Sequence, residues 1–316
     1  MSSARRIRTA LTALLLAAAV PAAAGCGVGA GKSAVGNQLL VTADYGRETI
    51  VREDQPKVSG QDTVMRLLQR NAPNVETRYG GNFVQSIGGK AGGQRDGRSY
   101  DWFFYVNGIL AEEGAGAIRL HDGDRVWFDF HDWTFADTIP AVVGAFPEPF
   151  LSGVEGKKLP TRIECERNDD NCQAVQDRLV DYDLPASKGN IGASYITETL
   201  RILVGSWPAI RRDPISRLIE AGPRRSGIFA KPIDDGRRLQ LFDERGRVTR
   251  TLGPGTGLIA ATRVLDDMKA QPVWIVTGTD EAGIAAAAAA LDEGALAGRF
   301  AVAVIDGKPV PLPDRP

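Results

Sequence analysis

The stretch YDWFFYVNGILAEEGAGAIRLHDGDRVWFDF, residues 100–130, decides the fold of the N-terminal half. It opens as an aromatic strand broken by Asn107-Gly108, a pair that tolerates the positive φ angles of a tight hairpin turn. The alternation predicts that Trp102 and Phe104 face one side and Phe103 and Tyr105 the other. Asp122-Gly123 is a second turn signal and leads into another strand. There Val126, Phe128 and Phe130 share one face, and Trp127, Asp129 and His131 the other. Upstream, LLVTADY (39–45) and TIVRE (49–53) read as a hairpin across Gly46-Arg47. SGQDTVMRLLQRNA (59–72) begins with cap-type residues and then places Val64, Leu67 and Leu68 at helical spacing. FVQSIGG (83–89) reads as a strand ended by glycines. The order predicts a small sheet with one helix packed across it.

These pieces resemble the transcobalamin-like C-terminal domain family, a β-grasp-type module. The matching residues are DTVMRLLQRNA, VQSIGG, the run from Trp102 through Tyr105-Val106-Asn107-Gly108, the following Gly-Ala pair, and Leu120 with Asp122-Gly123-Asp124 and Val126. The resemblance covers about residues 39–133, roughly a third of the chain. It implies an α+β, β-grasp-like fold for a domain spanning 39–135. In animal cobalamin carriers such a domain covers one face of the vitamin, so the resemblance also implies a cobalamin-like ligand. Trp102, Phe104, Tyr105, Asn107 and Trp127 are the candidate ligand-binding residues. Rigid aromatics give a flat ligand a large contact area with little rotamer entropy lost. The alternative is that the same face is core. A pocket between the two halves lined by Trp102, Tyr105 and Trp127 would favour binding, and a packed interface would favour a structural role.

Residues 140–310 resemble no family. AVVGAF (141–146), TRIECE (161–166), LRILVGSW (200–207), PVWIVTGTD (272–280) and RFAVAVID (299–306) read as strands, and SGIFAKPI with RRLQLFDERG as a strand pair. NDDNCQAVQDRLVD, PISRLIEAG, GTGLIAATRVLDDMKA and EAGIAAAAAALDEGAL read as helices. This alternation predicts an α/β sandwich with a largely parallel sheet. The boundary between the halves falls between Trp133 and Pro140.

The N-terminus carries Arg5, Arg6 and Arg8, then an uncharged small-and-apolar run to Gly25. The run is too short and too rich in alanine to span a bilayer comfortably, so residues 1–25 read as a signal peptide. Its end, Ala23-Ala24-Gly25-Cys26, resembles the lipobox of bacterial lipoproteins, with Cys26 as the lipidated residue. Plain secretion with cleavage at the Ala22–Ala24 site is the alternative. Residues 26–38 read as a flexible tether. Gly31-Lys32-Ser33 within it imitates the end of a phosphate-binding loop, but no strand precedes it. The expected location is the extracytoplasmic face of the cell membrane, held by lipid.

Without the signal's three arginines the chain has 35 basic and 39 acidic residues, a net charge of about −4. Such a balance does not support nucleic-acid binding, which needs a basic face. Cys165 and Cys172 are the remaining cysteines. An isolated even pair in an exported protein predicts a disulfide.

Catalytic signals are weak. His121 and His131 are the two histidines, and each has too few neighbouring ligands to close a metal site. Neither a nucleophile elbow nor a metalloprotease motif occurs. Gly253, Gly255 and Gly257 would precede a helix and could receive an anion, but their spacing is not that of a dinucleotide loop. Thr279 reads as a helix N-cap. The expectation is therefore a non-enzymatic binding lipoprotein with no resident cofactor. Its ligand would be cobalamin-like or another small molecule, and its partner a nutrient transporter or another envelope protein. The alternative is an accessory envelope protein built for protein–protein contacts. Replacing Cys26 by Ala should release the protein into the medium. A variant that stays in the membrane fraction, with no lipid mass on the wild type, would reject the anchor.

Overall fold

A computed structural model describes residues 33–192, 198–265 and 270–315. Cys26 lies outside the described residues, as do the signal and most of the tether. Among the described residues no helix is long and apolar enough to cross a membrane. The fold is mixed α and β, mostly sheet.

The first sheet forms around the aromatic strand, Arg98–Val106, which pairs antiparallel with Arg125–Asp132 in the register Trp102 to Phe130 and Tyr105 to Trp127. Strand Arg125–Asp132 also pairs parallel with Gln38–Ala43, whose other edge holds Glu48–Glu53 as a hairpin partner. The helix Val64–Asn71 covers one face. Thr63 caps it by accepting the Arg66 N–H, and it turns Val64, Met65, Leu67 and Leu68 into the core. That core takes Trp102, Phe128, Phe130, Leu39 and Val41 from the sheet, as the period-2 pattern requires.

The opposite face of the same strands is also buried. Tyr105 and Trp127 share a second core with Phe229, Leu241, Leu258 and Phe300 from the C-terminal half. Tyr105 is 0% and Trp127 3% exposed. Their rings lie 5.8 and 5.0 Å from that of Phe300.

The C-terminal half is built on a seven-stranded sheet. Thr161–Cys165, Ala186–Asn190, Leu200–Val204 and Val273–Gly278 run parallel, while Gly257–Thr262, Ala301–Ile305 and Lys308–Leu312 complete it antiparallel. The expected largely parallel sheet is therefore half parallel and half antiparallel. Helices Asp170–Val180 and Glu281–Ala289 cover one face, where Leu179, Ile202, Trp274 and Ile284 meet. A three-stranded antiparallel sheet, Ala230–Ile233, Arg238–Phe242 and Val248–Leu252, lies on the other side.

Several elements differ from the sequence reading. The expected helix at 255–270 is, over Gly257–Thr262, a strand with every residue buried. A short apolar run fits a buried strand as well as a helix, and here it pairs along both edges. AVVGAF is not a strand. It is threaded between other elements: the Val142 N–H donates to the Gly108 carbonyl and the Val143 N–H to the Phe300 carbonyl. PISRLIEAG contains a tight 3-10 turn over Ser216–Ala221 in place of an α-helix. Asp280 rather than Thr279 caps Glu281–Ala289, accepting the Gly283 N–H.

Cys165 and Cys172 form a disulfide that ties the end of a strand to the first turn of the adjacent helix. Thiol labelling of unreduced protein should find both blocked, and two reactive thiols would contradict this. Trp127→Ala should destabilise the fold by about 3–5 kcal/mol, because the site cannot collapse around the lost ring. Urea midpoints at a constant slope provide the measurement.

Candidate functional site

The tip of the aromatic hairpin organises the main candidate site. Asn107 and Gly108 take φ angles of 54° and 77°, which only a short polar residue and a glycine hold at low cost. The buried Asn107 side chain is fully engaged. Its amide donates to Asp124 Oδ1 at 2.9 Å and to the Gly153 carbonyl at 3.0 Å, and its oxygen accepts the Arg125 N–H. Asp124 Oδ2 in turn accepts the His121 N–H at 2.8 Å. Burial pushes the Asp124 carboxyl up, and the hydrogen bonds from His121 and Asn107 oppose this. The two turns that stand out in the sequence are thus clamped to each other.

Beyond the tip, residues 111–113 leave the sheet and with Leu110 form a wall shared by two cavities. The first, about 440 Å³, has apolar sides from Val106, Ile109, Leu110 and Ile118. His121 and Arg119 stand at its polar margin, and Arg263 enters from the C-terminal half. Arg263 is 8% exposed and forms an ion pair with Glu112. Its Nε has no hydrogen-bond partner. A buried guanidinium with an unused donor is unusual, since nearly all such groups are satisfied. The second cavity, about 450 Å³, runs along the aromatic strand between Trp102, Phe104 and Phe128 and the exposed pair Tyr79 and Phe83. Those two rings meet edge to face at 5.6 Å, although Tyr79 is 76% and Phe83 53% exposed.

The structure does not bring the five proposed ligand residues together. Trp102 and Phe104 border the second cavity, and the Trp102 indole donates to the Lys90 carbonyl at 2.8 Å. Asn107 borders the first, but its side chain serves the turn. Tyr105 and Trp127 lie on the opposite face, inside the core shared with Phe300. Burial raises the Tyr105 hydroxyl well above its ordinary value, with Asp129 and Tyr45 adding to the effect. No cleft lined jointly by Trp102, Tyr105 and Trp127 is found among the described residues; the two faces of one strand keep them apart. Arg263 and Glu112 were missed because 151 residues separate them and because Arg263 fell within an expected helix.

His131 is also a core group: its Nδ1 lies 2.8 Å from Asp129 Oδ1, and its ring stacks on Phe103 at 4.6 Å. Among the described residues no group of three His, Cys, Asp or Glu side chains could hold a metal. The glycines at 253–257 precede a strand, and the Gly255 N–H donates to the Asp280 carboxylate at 3.0 Å.

A family model described as a domain of unknown function (DUF4430) matches residues 61–132. The match runs from the covering helix through both cavity walls to the end of the strand Arg125–Asp132. The chain matches no curated protein.

Proposed function

We propose that the protein is a lipid-anchored, extracytoplasmic binding protein whose ligand occupies the cavity beside the hairpin tip. One observation carries this reading: Arg263, nine-tenths buried, lines with its Nε unpartnered a cavity that is part apolar and part charged, the carboxylates of Glu112, Glu113, Asp124 and Glu155 also standing in its walls. An amphipathic small anion fits, with its apolar body against Ile109, Leu110 and Ile118 and its charge toward the guanidinium. The volume of about 440 Å³ is in the range of small-molecule sites. A corrinoid, the ligand implied by the resemblance, is larger than this cavity and would have to displace the wall at 110–113.

The β-grasp reading of the first sheet belongs to the same proposal. It is supported by the two central strands running parallel, an antiparallel partner on each side of them, and the helix Val64–Asn71 across one face. The anchor at Cys26 would keep the binding domain close to a membrane transporter, the partner class that suits a ligand carrier.

The test uses 8-anilinonaphthalene-1-sulfonate, an amphipathic anion with an environment-sensitive emission. Saturable emission at micromolar protein is expected. Arg263→Met should weaken it roughly tenfold, the loss of one charge-assisted contact. Because Arg263 is buried, Ile118→Trp, which fills the cavity from its wall, serves as a second variant and should also block binding. Emission that does not saturate, or that both variants leave unchanged while remaining folded, rejects the site. Cyanocobalamin is titrated in parallel; competition with the dye would favour the corrinoid over the smaller anion.

A further inference from the structure

A different cleft opens at the far end of the aromatic strand, with a volume of about 530 Å³. Four arginines line it: Arg95 and Arg98 from the first sheet, Arg224 and Arg245 from the C-terminal half. Asp96 and Asp132 are the acidic residues of its wall, so the lining carries a net charge of +2. Arg98 is committed to the protein: its Nε donates to Asp132 Oδ2 at 2.6 Å, and it lies 3.6 Å from Glu244. Arg95, Arg224 and Arg245 make no ion pair among the described residues.

Two of these three guanidinium groups are held in place without losing their charge to a carboxylate. Arg95 donates to the Ala91 carbonyl and sits 5.6 Å over the ring of Phe130 and 5.9 Å over that of Tyr100. Arg224 lies 5.1 Å over Phe135 and donates from Nε to the Phe135 carbonyl at 3.2 Å. Phe135 is itself fixed from behind, because the turn at Gly246 approaches its ring so closely that a Cβ there would fall 2.0 Å away. Stacked on aromatic faces, guanidinium groups keep their remaining N–H donors free for oxyanions. Asp96, Thr134, Arg224 and Arg245 are exposed, so the cleft is open to solvent and suits an extended ligand.

The position of the cleft bears on what that ligand is. The tether joins the fold at the other end of strand Arg125–Asp132, where the Val35 N–H donates to Asp122 and the Val35 carbonyl accepts the Gly123 N–H. The strand's eight residues span about 25 Å. If the chain is anchored at Cys26 as proposed above, the cleft points away from the membrane and toward the polymers outside it; the charge argument stands without that anchor.

We propose that this cleft binds an extended oxyanionic polymer, with Arg95 on one wall and Arg224 and Arg245 on the other taking successive anionic groups. Carboxylates of an acidic polysaccharide and the anionic oxygens along a polyphosphate chain share that chemistry. Binding of fluorescently labelled polygalacturonate and of linear polyphosphate to the purified protein separates the two sources. Saturable binding to at least one is expected, weakening as salt rises. Arg95→Gln, Arg224→Gln and Arg245→Gln should each weaken it roughly tenfold, as expected for one charge-assisted hydrogen-bond partner. All three lie on the surface or at the cleft mouth, and unchanged melting temperatures will show that the fold is kept. Arg66→Gln and Arg217→Gln, exposed elsewhere, should have no effect. Failure of both polymers to bind at low salt overturns the proposal, as does an equal loss with the control variants. Tighter binding to an oligo-dT strand or to phosphatidylglycerol vesicles through the same arginines would also overturn it, by assigning the cleft to nucleic acid or membrane. The dye assay of the other cavity is unaffected by these variants, so the two proposals fail separately.

Discussion

The Asp129 carboxylate is fully buried, and much of the fold depends on how it is satisfied. Oδ2 accepts the Thr42 hydroxyl and the Gly46 N–H, while Oδ1 accepts the Tyr45 N–H and faces His131 Nδ1. An unpaired carboxylate at this depth would carry a heavy desolvation cost, so these partners fix the turn at 44–46 against the strand Arg125–Asp132. Thr42 also accepts the Trp127 indole N–H at 2.7 Å, and the Tyr45 hydroxyl donates to the Asp132 carbonyl. The network therefore orients the aromatic face formed by Tyr45, Tyr105, Trp127 and His131. It holds that face against Phe300. With this side sealed, open surface near the first sheet remains along its free edge and at its two ends, where the cavities occur.

Much of this was legible in the sequence. The alternation at 100–106 and 125–132 separated the two faces correctly, since Trp102 and Phe128 do pack under the helix while Tyr105 and Trp127 point the other way. The turn chemistry at Asn107-Gly108 and Asp122-Gly123 located the hairpin ends. What alternation could not say was whether the second face was covered, because that depends on Phe229 and Phe300, far away in the chain. The strand Gly257–Thr262 was unreadable for a related reason. Leu258, Ile259, Ala260 and Ala261 are all apolar, being buried on both faces, and such a run carries no period. Arg263 follows directly, so the error over the strand concealed a buried guanidinium with a spare donor.

In the C-terminal half the protein's own side chains fill the places where an α/β sheet usually receives a ligand. In open α/β sheets ligands favour the carboxyl ends of parallel strands where the chain order reverses. Here that point falls between Thr161–Cys165 and Leu200–Val204, since the chain steps to one side for Ala186–Asn190 and then to the other. The crevice is occupied by the protein's own acid: Glu166 accepts the Ser206 N–H at 2.7 Å and lies against Gly205. Glu164, one turn of the pleat earlier, is buried in a bidentate pair with Arg201, which also binds Asp213. The glycine turn at 253–257 is closed in the same way by Asp280. Backbone donors that would meet a bound anion are thus met by side-chain carboxylates. At the far end of the aromatic strand the balance is reversed. Arg95, Arg224 and Arg245 make no ion pair there among the described residues, and at the hairpin tip Arg263 pairs with Glu112 and keeps a donor to spare. The chain carries a net negative charge, yet Arg95, Arg224 and Arg245 gather in one cleft between the first sheet and the C-terminal half, and its net positive lining suits an anion from outside.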